Sequence, residues 1–264
     1  MRPLPFALAQ GSVTGHSHVV RLRNNQDGVA VHLSEELIVA VVTDGCSSAR
    51  GSEVGAQLGA RWLANWVPKL LAQAPGDAEL MEAVRSGLLG YVEGAARGLS
   101  PEQELLVASV EEFFLFTYLV AVVQPERCLV FGQGDGVFSV NCKPTVLDPG
   151  PENAPAYPSY ALVLHAVSPS VGPLQPVLHH TGPTQGLRSL VIATDGAIDL
   201  IERAEENLED GDEQGGLEQF ERGPALVKNP SLLQQRLNLI GRVNHRLRDD
   251  TTLAVIRRLG QGAL

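Results

Sequence analysis

The chain has 264 residues, of which 44% are hydrophobic, and it carries a formal net charge of -10 with a pI of about 5.2. This length can bury one substantial core. The acidic balance excludes a nucleic-acid partner, because phosphate backbones are bound mainly by clustered Lys and Arg side chains.

The three cysteines, Cys46, Cys128 and Cys142, are an odd number at irregular spacing. They predict neither a disulfide framework nor a zinc site, and they favour a reducing compartment. The N-terminal residues lack the sustained apolar core of a signal peptide, and no segment reaches the roughly 18 apolar residues that a bilayer span needs. We therefore expect a soluble cytoplasmic protein with no membrane partner.

Short β-rich apolar runs predict strands at residues 28–33, 37–42, 113–123, 128–131, 160–167, 190–193 and 253–256. Helical periodicity predicts helices over residues 52–72, 78–96 and 232–246. Pro68 is expected to kink the first helix or to end it early. Because strands, helices and strands follow one another with few βαβ alternations, we predict an α+β layered domain rather than a doubly wound parallel sheet.

Two stretches interrupt this pattern. Residues 148–158 are rich in proline and are expected to form a surface loop. Residues 202–222 are dense in Glu and Asp and are expected to form a solvated loop or helix face. The chain shows neither a useful internal repeat nor a clear linker, so we expect a single domain over residues 1–264.

Apolar strands in this sequence run repeatedly into Asp-Gly. LIVAVVTDG ends in Asp44-Gly45, CLVFGQGDG in Asp135-Gly136, and SLVIATDG in Asp195-Gly196. Asp-Gly alone predicts only a turn. Two further acidic sites precede strands, at Asp27 and at Asp249-Asp250. In an antiparallel sheet the start of one strand lies beside the end of its neighbour, so all of these carboxylates can share one edge.

The first pair can be placed by counting residues. If residues 28–33 and 37–42 form a hairpin, the register puts Asp27 opposite Thr43 and Asp44. Buried carboxylates that lie together repel one another unless cations offset their charge. Oxygen ligands without a Cys/His cluster suit Mg²⁺ or Mn²⁺ and argue against zinc. Gly45 has no side chain, so its carbonyl can approach such an ion closely.

Four segments carry a resemblance to a known family: VVTDGCSSARGSEVGA, FGQGDGVFSV, SLVIATDGAIDLI and RDDTTLAVIRR. In this order they resemble the successive motifs of the type 2C (PPM) metal-dependent serine/threonine protein phosphatases. The opening GHSHVVRLRNNQDGVAV and the later ENAPAYPSYAL resemble the bacterial branch in particular. The match extends from about residue 11 to residue 258. Each motif alone is weak evidence, but four or more in the right order are specific.

The resemblance implies a four-layer αββα sandwich, in which two antiparallel β-sheets are flanked by helices and a metal centre lies in a cleft at one end. It implies that Asp44 bridges two metal ions and that the carbonyl of Gly45 is a ligand. It further implies metal-binding roles for the remaining aspartates: Asp195, Asp249 and Asp27 at the two main ions, and Asp135 and Asp199 around a weaker third ion. Gln26 lies beside Asp27, and Asp250 stands where the family often has Asn.

The chemistry that the resemblance implies needs two Mg²⁺ or Mn²⁺ ions about 3.5 to 4 Å apart, which lower the pKa of a shared water. The resulting hydroxide attacks phosphoserine or phosphothreonine in a protein that a serine/threonine kinase has phosphorylated. An arginine helps the cations to stabilise the phosphate oxygens. Arg21 is our first candidate for this contact and Arg23 is the second, while Asp44 is the central catalytic ligand.

Two residues depart from the family pattern. Cys46 follows Asp44-Gly45 where relatives carry His, Met or Ala, and Gln26 replaces a carboxylate found in some relatives. A catalytically weak pseudophosphatase that binds a phosphoprotein or a regulatory partner therefore stays open, as does a phosphatase of small phosphorylated metabolites. A cysteine phosphatase is disfavoured, because its loop needs Cys and Arg six residues apart, whereas Cys46 and Arg50 are four apart.

Overall fold

The computed structural model describes residues 3–99, 102–151, 154–163, 174–204, 215–222, 225–242 and 246–260. It contains two five-stranded antiparallel sheets. Sheet I has the spatial order β1 (Phe6–Val13), β10 (Thr251–Arg258), β9 (Ser189–Ala193), β6 (Gly136–Val140) and β7 (Pro144–Leu147). Sheet II has the order β2 (Asp27–Leu33), β3 (Ile38–Gly45), β4 (Phe116–Val123), β5 (Arg127–Gln133) and β8 (Val177–Pro183).

The helices cover the outer faces of the two sheets. The first group follows β1 and β3: α1 (His16–Val20), α2 (Ser52–Leu71), α3 (Asp77–Leu99) and α4 (Gln103–Phe113). The second group precedes β10: α5 (Ile198–Glu202), α6 (Glu218–Arg222), α7 (Ala225–Lys228) and α8 (Ser231–Arg242). No helix in the described ranges is both long and apolar enough to cross a bilayer.

Strand β3 shows why the sequence forms layers. Its side chains alternate between two apolar surroundings, because successive residues of a strand point to opposite faces. Val39 and Val41 pack into the core under α2 to α4, whereas Ile38, Ala40 and Val42 pack between the two sheets. A third core lies between sheet I and the helices α5 to α8. Because β3 is buried on both faces, its sequence is a continuous apolar run. The three cores separate two helical layers and two sheets, so the predicted α+β sandwich of four layers is confirmed.

The structure corrects several predicted boundaries. The strand predicted over residues 113–123 begins only at Phe116, because α4 ends at Phe113. The strand predicted over residues 160–167 is wrong at its start, where a 3₁₀ helix spans Pro158–Leu162, and residues 164–167 lie outside the described residues. Pro68 lies inside α2, which continues to Leu71. The predicted helix over residues 232–246 is α8, with residues 243–245 outside the described part.

The sequence patterns predicted neither the strands β1, β6, β7 and β8 nor the helices α1, α4, α5 and α7. Strand β1 carries small and polar residues because α8 packs closely on it: a Cβ at Gly11 would lie 2.3 Å from a methyl carbon of Leu233. The acidic stretch 202–222 is only partly described, since residues 205–214 lie outside the described ranges. Its expected solvent exposure is wrong for Glu221, which is 4% exposed and packs under sheet I.

Candidate metal centre

The sequence-predicted aspartates gather at one end of the sandwich. Asp27, which begins β2, pairs directly with Asp44 near the end of β3, so the predicted hairpin register is confirmed. The link to sheet I is a hydrogen bond that the Thr194 hydroxyl donates to Oδ2 of Asp27 over 2.8 Å. Thr194 follows β9 directly, so this bond brings Asp195 to the same end as Asp44.

Burial and mutual repulsion raise the pKa values of the clustered carboxyls. Loss of solvation raises the pKa of Asp44 well above its usual range, and the charges of Asp195, Asp27, Asp135 and Asp249 add to the effect. Burial likewise raises the pKa of Asp195 to about 7, with further contributions from Asp135 and Asp249. The pKa of Asp27 is raised well above its usual range for the same reasons, burial first. Without added positive charge, this cluster strains the fold near neutral pH.

Several acceptor atoms in the cluster lack a hydrogen-bond donor among the described residues. They are Oδ1 of Asp27, Oδ1 of Asp135 and the side-chain oxygen of Gln26, all buried. Buried polar atoms are usually paired, so such atoms need an explanation. Carboxylate, amide and carbonyl oxygens are the ligands that Mg²⁺ and Mn²⁺ prefer. The residues present therefore fit hard divalent cations.

Gly45 occupies a position that has no room for a side chain. A Cβ there would lie 2.6 Å from the carbonyl oxygen of Gln26 and 2.8 Å from the hydroxyl of Ser52. The Gly45 N–H donates to the same Gln26 carbonyl over 3.2 Å. The amide nitrogen of the Gln26 side chain donates to Ser52 over 2.7 Å, so the ends of β2 and β3 are joined directly to the start of α2.

Asp199 is a predicted metal ligand whose two carboxylate oxygens are both bound by Arg248. The backbone N–H of Arg248 donates to its Oδ2 over 2.6 Å, and the Arg248 guanidinium contacts its Oδ1 at 2.6 to 2.7 Å. Arg248 directly precedes Asp249. In this arrangement Asp199 positions the loop that carries Asp249.

Asp250 is a structural acceptor that sequence analysis did not assign. The N–H groups of Gly15 and Gln26 donate to its two oxygens over 2.7 and 2.6 Å, and Nδ1 of His18 lies 2.8 Å from Oδ2. His18, Asp249 and Asp250 have ligand atoms close enough to surround one ion. The histidine of the N-terminal motif GHSH and the doubled Asp before β10 were the available signals.

We expect Asp250→Ala to lower the free energy of unfolding by about 2 to 4 kcal/mol, because two buried N–H groups and His18 lose their acceptor. Urea denaturation monitored by far-UV circular dichroism measures this change. The matched control is Asp148→Ala, whose exposed carboxylate accepts one N–H, from Gly150. It should cost less than about 1 kcal/mol. Equal losses in the two variants would contradict the role of Asp250.

Arg21 and Arg23, the two candidates for the phosphate contact, lie in different surroundings. Leu22 between them has a φ of 54° and is 95% exposed, so the chain turns sharply after α1. The Arg21 side chain is exposed. The Arg23 guanidinium donates to the carbonyl of Ser47 in the loop after Asp44 and Gly45. Of the two arginines, Arg23 is therefore the one that the fold holds against the loop that follows Asp44 and Gly45.

The proline-rich stretch covers the same loop. It was expected on the surface, yet Tyr157 is buried and its hydroxyl contacts the Cys46 thiol. Gln133 donates to the carbonyl of Ala156 over 3.0 Å, and Ser159 donates to the carbonyl of Phe114 over 2.7 Å, which fixes the stretch against sheet II. Burial raises the pKa of Tyr157, and the neighbouring Cys46 and Asp44 add to this rise. Tyr157 thus stays protonated beside the cluster.

Comparisons with known proteins identify the family of this chain. Residues 14–224 match the family described as protein phosphatase 2C. A search of the curated proteins finds no significant match.

Solved structures share the fold across nearly the whole chain. The serine/threonine phosphatase Stp1 from Staphylococcus aureus has a TM-score of 0.56 and 12% identity, with 98% of both chains covered. The serine/threonine phosphatase of S. agalactiae has a TM-score of 0.56 and 15% identity, with 96% of this chain and 99% of that chain covered. The Mycobacterium tuberculosis serine/threonine phosphatase PstP/Ppp has a TM-score of 0.52 and 15% identity, with 96% of this chain and 98% of that chain covered. The chain belongs to the protein phosphatase 2C family.

Proposed function

We propose that the protein is a metal-dependent serine/threonine protein phosphatase that uses two Mg²⁺ or Mn²⁺ ions, with a weaker third. The observation that carries the proposal is the meeting of Asp27, Asp44, Asp135 and Asp195 at one end of the sandwich, with raised pKa values and unfilled acceptor atoms. Such clusters mark functional sites, because they are costly to the fold alone. Family membership makes phosphate ester hydrolysis the chemistry that fits them.

Each residue has a distinct part in the proposed reaction. Asp44, which is influenced by four other aspartates, would be shared by both ions, and Asp27, Asp195, Asp249 and the Gly45 carbonyl would complete the ligand set. When bound, the cations supply the positive charge that makes a water acidic and neutralises the phosphate oxygens. Asp195, whose pKa is about 7, must lose its proton before it can act as a ligand.

The phosphate group needs a donor from the protein as well. Arg23 is held at the loop after Asp44, so we favour it over Arg21 for the contact with the phosphate oxygens. Cys46 stands where relatives carry His, Met or Ala, and the Tyr157 hydroxyl lies against it. The Tyr157 hydroxyl and the Cys46 side chain adjoin the loop that follows Asp44, so they are our candidates to hydrogen-bond the leaving oxygen.

The substrate we propose is a protein phosphorylated by a serine/threonine kinase, within the cytoplasm. The test is phosphate release from a phosphothreonine peptide with Mn²⁺, with excess EDTA, and with a panel of small phosphorylated metabolites. We expect Mn²⁺-dependent release from the peptide that EDTA abolishes. Binding of the phosphopeptide without release would instead support a pseudophosphatase, and faster release from a metabolite would assign a small-molecule substrate.

A further inference from the structure

A second cavity lies at the opposite end of sheet I from the candidate metal centre. It has a volume of about 670 Å³. Its walls come from the turn between β6 and β7, the start of β9, the end of α6 and the end of β10. Strand β10 has eight residues and so separates the two ends by roughly 25 Å. The cavity is therefore distinct from the carboxylate cluster.

The lining of this cavity is cationic, although the whole chain has a net charge of -10. The lining residues include one acidic residue, Glu221, and five basic residues, which are Lys143, Arg188, Arg222, Arg257 and Arg258. Within the described part of the chain, neither Lys143 nor Arg188 pairs with a carboxylate. Both side chains are exposed. A concentration of unbalanced positive charge in an acidic protein attracts anions to this one place.

Glu221 is the one carboxylate among the lining residues, and its single negative charge is outnumbered by five basic residues. Glu221 accepts hydrogen bonds from the hydroxyls of Ser139 and Ser189 over 2.6 and 2.5 Å, and from the N–H of Cys142 over 2.9 Å. These bonds hold α6 against strands β6 and β9. Glu221 thus builds the floor of the cavity and fixes the position of its neighbour Arg222.

Hydrogen bonds also hold the remaining walls in place. Asn141, with a φ of 55°, accepts the N–H of Arg188 over 2.7 Å and donates to the carbonyl of Gly186 over 3.1 Å. Arg258 donates to the carbonyl of Leu187 and lies 4.5 Å from the ring centroid of Phe6. The backbone that carries the cations is therefore fixed before a ligand arrives, which lowers the entropic cost of binding.

We propose that this cavity is a second binding site, for a small ligand that carries two or more phosphate groups. Its volume lies in the range of small-molecule sites, and it exceeds what one phosphate fills. Arginine contacts phosphate oxygens through two parallel N–H groups, so several arginines suit a multiply charged phosphate compound. The lining residues include no aromatic side chain, so a stacked base is not part of the recognition. The proposal does not depend on the phosphatase activity.

The probe is tripolyphosphate, titrated calorimetrically in excess EDTA, so that no cation can bridge it to the carboxylate cluster. We expect the double variant Arg188→Gln/Arg222→Gln to weaken binding by ~30-fold or more, since each lost charge-assisted contact weakens it several-fold. The matched control is Arg61→Gln/Arg242→Gln, which removes the same charge from the exposed faces of α2 and α8 and should bind like wild type. Melting temperatures of the two double variants confirm that both are folded.

Equal affinity in the two double variants would overturn the proposal, as would the absence of binding to the wild-type protein. A glutamate-rich peptide provides the second arm of the experiment. If the peptide bound at this site and tripolyphosphate did not, the ligand would be an acidic protein segment and the proposed ligand class would be wrong. Tight binding of tripolyphosphate that depends on Arg188 and Arg222 supports the proposal.

Discussion

Asp44→Asn will lower kcat/KM for a phosphothreonine peptide by about 10³-fold in the presence of Mn²⁺. The physical reason is the position of Asp44, whose carboxyl is influenced by four other aspartates from both sheets. Its amide replacement has the same shape but removes the negative charge closest to all of them. We therefore expect this one substitution to weaken the binding of every cation at the centre, while the packing of β3 is retained.

The measurement is phosphate release at saturating and at limiting Mn²⁺. The matched control is Asp77→Asn, which removes an aspartate from the first turn of α3 and breaks its exposed ion pair with Arg127. Such a pair contributes at most about 1 kcal/mol to stability, so activity should be unchanged. Equal rates for wild type and Asp44→Asn would remove the metal centre from the proposed mechanism.

The metal-free protein will lose thermal stability as the pH rises from about 4 to above 7, and millimolar Mn²⁺ will restore it at pH 8. An unfolded aspartate has a pKa near about 3.9. Burial and repulsion raise the pKa of Asp195 to about 7 and those of Asp27 and Asp44 upward as well. Between these limits the folded state binds more protons than the unfolded state, so stability falls with rising pH.

Cation binding reverses the loss, because it favours the ionised carboxylates of the folded state. A ligand at a thousand times its Kd stabilises a protein by about 4 kcal/mol, which corresponds to about 10 °C in Tm for a domain of this size. Asp195→Asn should lose most of the Mn²⁺ shift at pH 8, and it should also flatten the pH dependence of the metal-free Tm. Asp77→Asn should retain both effects.

Differential scanning calorimetry at several pH values, with EDTA or with Mn²⁺, measures the pH dependence of the metal-free Tm and the Tm shift that Mn²⁺ causes. A metal-free Tm that rises steadily from pH 5 to pH 8 would contradict the direction derived from the pKa values. A Tm that does not respond to millimolar Mn²⁺ would favour a pseudophosphatase, even if the pH dependence is as expected.

The sequence was informative where local rules determine the structure. The runs that form β3, β4 and β9 are buried on both faces, so they were recognisable as apolar strands. The pairing of Asp27 with Asp44 followed from the length of one hairpin. Strand β8 was missed because it lies at the edge of sheet II and carries polar residues, and β1 was missed because α8 requires small residues on it.

Other features depend on partners far away in the sequence. Asp199 is engaged by Arg248, and no pattern within α5 indicates this. The position of Arg23 rather than Arg21 at the Ser47 carbonyl follows from the unusual φ of Leu22. Glu221 belongs to an acidic stretch and is buried because Ser139 and Ser189, from two different strands, supply hydroxyl donors. Each of these outcomes needed the tertiary structure.

The register of sheet I has a consequence for how the protein is made. β10 pairs on one side with β1, from Phe6 opposite Arg258 to Val13 opposite Thr251, and on the other side with β9. During synthesis on the ribosome, β1 must wait until residues 251–258 have been made before it can pair with this neighbour. Because Asp249 directly precedes β10, we expect the carboxylate cluster to be complete only after β10 has paired, so nascent chains should not retain Mn²⁺ until β10 has left the exit tunnel.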